Sequence, residues 1–62
     1  MKKESTLANW TIEQCGSYTV LRGQVMSDSR WPDGEHVRTS MLEYIDFKKG
    51  VAETLNTIYH LV

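Results

Sequence analysis

The side chains with most chemistry to offer lie close together in DSRWPDGEHVRTS, residues 28–40. Arg30, Trp31 and Arg38 are of the types that anchor protein interfaces, and guanidinium groups also grip carboxylates and phosphates in a fixed fork. Asp33 and His36 add a carboxylate and an imidazole. Arg22 joins Arg30 and Arg38 if the segments on either side of this stretch pair as strands. Three guanidiniums beside an indole could hold an anion or stack on bases. Asp28, Asp33 and Glu35 are interleaved with them and oppose that field, so a mixed, solvated strand edge is the plain alternative. Trp31 has two readings: an exposed anchor, or a lid folded back over the end of a small barrel. The expected partner-binding residues are Arg30, Trp31, Asp33, His36 and Arg38.

Two further residues shape that surface. Pro32 presets φ at about −65° for the second position of a turn, and Asp33-Gly34 is a strong turn pair. The stretch therefore reads as a tight reversal between strands.

No constellation in the chain points to catalysis. Cys15, His36 and His60 are scattered, with no metal-ligand spacing. The four glycines are isolated, so there is no phosphate-cradling loop. Cys15 stands before Gly16 at a turn and reads as a small half-buried residue rather than a reactive thiol. The expectation is a protein without catalytic residues, metal or cofactor.

The whole chain has 62 residues, which fits a single small domain, and such a chain buries only about 60% of its unfolded surface. One cysteine excludes an internal disulfide. Self-association is then the remaining support for a marginal core, and a homodimer is expected. Seven Lys and Arg against eight Asp and Glu give a net charge of −1, without the basic excess of a general nucleic-acid binder. No apolar run nears the length of a membrane span, and no apolar segment follows Lys2-Lys3 as in a signal peptide. A cytoplasmic protein is expected.

The positioning elements read as strands. Residues 1–7 are polar and expected to fray. NWTIEQ alternates Trp10 and Ile12 against Thr11 and Glu13, the period of a half-buried strand. Gly16-Ser17 makes a turn, and YTVLRGQVM follows as a long strand, with Gly23 marking a bulge or bend. After the WPDG reversal, EHVRTSMLEYIDF reads as one strand with Val37, Thr39, Met41, Ile45 and Phe47 on one parity. DFKKG is a polar turn, and VAETLNTIYHLV a last strand with Val51, Leu55, Tyr59 and Leu61 together. The fold class is all-β: a small antiparallel sheet or partly closed barrel of about four to five strands. The alternative is an α+β fold with a C-terminal helix, from the capping pattern Ser40-x-x-Glu43 and the stripe Val51, Leu55, Ile58, Val62.

One pattern extends beyond strand grammar. Gly23-x-Val25, then Arg30-Trp31-x-Asp33-Gly34, then Val37-x-Thr39-Ser40, then Thr54-x-Asn56-Thr57-x-Tyr59-x-Leu61 resembles short β proteins encoded by phages and plasmids, over roughly the last 40 residues. The resemblance carries no catalytic residue. It implies a mobile-element protein that blocks a host defence, anti-CRISPR proteins being one such class, with a host protein or complex as partner. A small-barrel nucleic-acid-binding module and an assembly or accessory subunit are the competing roles.

Overall fold

The computed structural model describes residues 2–62. Met1, the first of the residues expected to fray, lies outside them. Six strands form one mixed sheet: β1 (Lys3–Cys15), β2 (Tyr18–Met26), β3 (Glu35–Arg38), β4 (Leu42–Asp46), β5 (Val51–Thr54) and β6 (Thr57–Leu61). Their order in the sheet is β3-β2-β1-β6-β5-β4. β1 runs parallel to β6 and every other pair is antiparallel. The fold is all-β, and no helix occurs among the described residues.

The β1–β2 hairpin closes on Gly16 and Ser17, with Gly16 at φ 64°. Its ladder slips between Ala8 and Thr11, where β1 carries one residue more than β2. Asn9 takes up the slack at φ 51°, a conformation asparagine tolerates better than most residues. Gly23 lies opposite. A Cβ there would stand 2.9 Å from the Ala8 carbonyl oxygen and 3.1 Å from Trp10 Cα, so the bulge requires glycine. The bend expected at Gly23 is thus centred on the neighbouring strand.

Three readings of the sequence are corrected. Lys3–Leu7 do not fray: they form the half of β1 that pairs with both β2 and β6, and Leu7 is fully buried. Only Leu7 is apolar among them, but Ser5 also turns inward, which an apolar count misses. The single strand expected over 35–47 is two strands. Thr39 continues the β2–β3 ladder with its side chain: its N–H donates to Leu21 O at 2.8 Å, while Leu21 N–H donates to Thr39 Oγ1 at 2.9 Å. With the hydroxyl in place of the carbonyl, the backbone is released from β2 and crosses to β4. The last expected strand is a hairpin turning on Leu55 and Asn56, so Leu55 is exposed while Ala52, Thr54, Thr57 and Tyr59 are buried. These two breaks raise the strand count to six.

The connectivity curls the sheet. β3 and β4 are its two outer strands, about 24 Å apart if the sheet were flat. Residues 39–41 alone join them, and four Cα steps reach at most about 14 Å. The sheet therefore wraps round, bringing β2 toward β4, although β3 and β4 do not pair. Inside sit Leu7, Leu21, Val25, Ala52 and Tyr59, with Trp10, Trp31, Val37, Leu42, Ile45 and Leu61 packed against them. Leu42 and Ile45 both reach this core because the β4–β5 register slips between Leu42 and Tyr44.

Candidate functional site

Residues 27–34 close one end of the curled sheet with two successive turns. Trp31 N–H donates to Asp28 O, and Glu35 N–H to Pro32 O at 3.2 Å. Pro32 is therefore the first residue of its turn rather than the second. Asp33 and Gly34 occupy the centre, with Gly34 at φ 87°, as a type II turn requires. Asp33 Oδ1 accepts from Ser27 N–H at 2.8 Å and fastens the mouth of the loop.

Asp28 is the hub beneath. Its side chain is 5% exposed. Oδ1 accepts from Arg30 N–H at 2.9 Å and from Nε at 3.0 Å, and Oδ2 accepts from Nη2 at 2.7 Å. The Arg30 guanidinium holds the Asp28 carboxyl far below the usual carboxylate range, against the opposing effect of burial. Ser5 Oγ is buried and reaches no hydrogen-bond partner among the described residues. Arg30 also donates to Thr57 Oγ1 at 3.3 Å, and its guanidinium carbon lies 4.5 Å from the centroid of the Trp31 ring. Trp31 is half-buried against the core. The side chains of Asp28, Arg30 and Trp31 thus lock the loop onto the sheet.

A second grouping lies on the outer face of β1, β2 and β3. Arg22 and Arg38 are directly opposed across the β2–β3 ladder. Like charges so placed repel, and Glu13 bridges them, 3.2 Å from Arg22 Nη1 and 3.2 Å from Arg38 Nε. Both arginines remain more than half exposed, at 56% and 55%. A depression of about 200 Å³ is lined by Arg22, Gly23, His36, Val37 and Arg38. It continues toward the β1 bulge, where Asn9 and Thr11 join the lining. Asn9 is fixed there by a 2.6 Å bond to Gln24 Oε1.

Of the residues expected to bind a partner, His36 and Arg38 lie on this outer face. Arg30 does not join Arg22 and Arg38, because its guanidinium turns to Asp28 and Thr57. Trp31 and Asp33 are engaged within the loop. Glu13 and Asn9 complete the outer face and were not singled out in the sequence. Only the register of β1 on β2, set by the bulge, brings them there. No group of three or more His, Cys, Asp or Glu that could hold a metal occurs among the described residues. Comparison with family models, with curated protein sequences and with solved structures gives no match for this chain.

Proposed function

We propose that this is a non-enzymatic protein-binding module that takes an acidic segment of its partner on the outer face of β2 and β3. The observation that carries this reading is the opposed Arg22–Arg38 pair. The two guanidiniums share one carboxylate, so the patch keeps one positive charge. Each has five N–H donors and spends few of them on Glu13. Those left over are exposed around a shallow depression with His36 at its side, and they suit a carboxylate. A blocker of host defence, the role implied by the resemblance, is a function of this kind, since it needs a surface and no active site.

A nucleic-acid reading fits less well. Lys2 is bound to Glu43 and Glu53, and Arg30 to Asp28. Lys3, Lys48 and Lys49 make no ion pair among the described residues, but they lie at the start of β1 and in the β4–β5 turn and form no stripe with the arginines. A backbone-tracking groove needs such a stripe. The test is capture from host lysate, with and without nuclease treatment, by the wild-type chain and by an Arg22→Ser, Arg38→Ser chain whose circular dichroism is unchanged. A protein retained by the first and lost by the second is the expected result. Equal capture by both, or capture abolished by the nuclease, would refute the proposal.

A further inference from the structure

β1 is 13 residues long, and its two sides are unequal. β2 lines one side from Thr6 to Cys15, whereas β6 pairs on the other only from Lys3 to Leu7. Val62 N–H closes that ladder on Leu7 O at 3.0 Å. From Asn9 to Cys15 no backbone hydrogen bond reaches this second side among the described residues. An antiparallel ladder turns every second residue's N–H and C=O away from its partner, so this edge presents unpaired groups over about 20 Å. Strand edges are normally blunted by Lys or Pro. Residues 9–15 contain neither, and their one charge, Glu13, is held on the outer face by Arg22 and Arg38. The inner face below the edge is apolar: Ile12 is 48% exposed, and Trp10 stacks on Phe47, itself 64% exposed, at 6.2 Å between centroids.

We infer that this edge pairs with the same edge of a second copy, β1 against β1, antiparallel about a two-fold axis through Ile12. The sequence is self-complementary about that point. Ile12 meets Ile12 of the second copy on the apolar face. Trp10 meets Gln14, Thr11 meets Glu13, and Asn9 meets Cys15. No like charges are opposed, and the one carboxylate in the segment faces a hydroxyl. The exposed Ile12 side chains cover each other beside the Trp10–Phe47 stack, so two small cores gain a shared apolar seam. The two curled sheets become one continuous sheet, as an isologous interface requires. The contact uses none of Arg22, His36 and Arg38, although Asn9, Thr11 and Glu13 of the same segment border the depression beside them.

The register gives a direct test. In a Cys15→Ser chain, Ile12→Cys places two thiols face to face at about 5.5 Å between Cα atoms, within disulfide reach. With oxidised glutathione as oxidant, this chain is expected to give a covalent dimer within the time in which Thr11→Cys, whose thiols are out of register, gives little. Sedimentation of the wild-type chain at about 100 μM, a concentration suited to a micromolar contact, should show twice the 7.2 kDa chain mass. Ile12→Lys should return it to monomer with unchanged circular dichroism. A wild-type monomer at this concentration, equal cross-linking at positions 11 and 12, or a dimer indifferent to Ile12→Lys would each overturn the inference.

Discussion

Replacing Asp28 by Asn tests whether the loop over residues 27–34 is locked by charge. The substitution keeps the shape of the side chain. It removes one acceptor, sets an NH₂ group against the Arg30 donors, and leaves Arg30 without its counter-ion. Breaking a fully buried ion pair costs about 3–5 kcal/mol, and an exposed one about 0–1 kcal/mol. Asp28 is 5% exposed but Arg30 is 31% exposed and keeps some water, so about 2–3 kcal/mol is expected. A chain of this size holds about 3–9 kcal/mol in total. The loss therefore lowers Tm by roughly 10–20 °C. Urea unfolding of both chains measures it, and the pH dependence identifies its source. The Asp28 carboxyl is lowered in the folded state, so its contribution is complete above the unfolded value of about 3.9. It is lost as pH falls through the folded value. The gap between wild type and variant should thus be full at pH 5–7 and narrow progressively toward pH 2. A gap under about 0.5 kcal/mol at neutral pH, or one that does not narrow in acid, would refute the lock.

Gly23→Ala should cost about 1–3 kcal/mol, read as a lower urea midpoint, because two of the three atoms its Cβ would meet belong to the backbone of the bulge and cannot swing aside. An unchanged or raised midpoint would show that the bulge yields. Thr39→Val, nearly isosteric, should cost about 1–3 kcal/mol by leaving the buried Leu21 N–H without an acceptor, and its amide hydrogen exchange should quicken.

What the sequence made legible was turn chemistry. Gly16-Ser17, Asp33-Gly34 and the turn at 47–50 are where the chain reverses, and Asp46 accepts from Lys48 and Lys49 N–H as an aspartate at such a turn does. Alternation located β1 beyond Asn9, and β2. Two reversals stayed hidden for physical reasons. At Ser40-Met41 no Gly or Pro marks the break, because a threonine side chain ends the ladder. At Leu55-Asn56 an apolar residue occupies the turn and continues a false alternation. Asn56, disfavoured within strands, was the available signal. The candidate site was legible in residue types only. Arg22 and Arg38 face each other once β2 and β3 pair, but the inward turn of Arg30 depends on Asp28, two residues away, and on Thr57, which the parallel β1–β6 pairing brings beneath the loop.

That parallel pairing also shapes the end of the sheet under the loop. It carries Thr57 and Tyr59 alongside Lys3 and Ser5, so the end of the sheet under the loop has a polar lining. A polar lining at the mouth of a small barrel ordinarily suggests a ligand. Here Asp28 and Arg30 pair with each other, and the Arg30 guanidinium lies against the Trp31 ring. Toward the other end, Trp10 and Phe47 stack across the opening. One end is thus occupied by the chain's own ion pair, with apolar side chains packed behind it. The outside offers two surfaces: the charged face of β2 and β3, and the unpaired edge of β1, whose one charge, Glu13, is held by Arg22 and Arg38. The bulge at Asn9 lies where the two meet, and Asn9 itself borders the depression. β6 pairs with β1 only as far as Leu7, and the glycine opposite the bulge lies under the depression between the arginines.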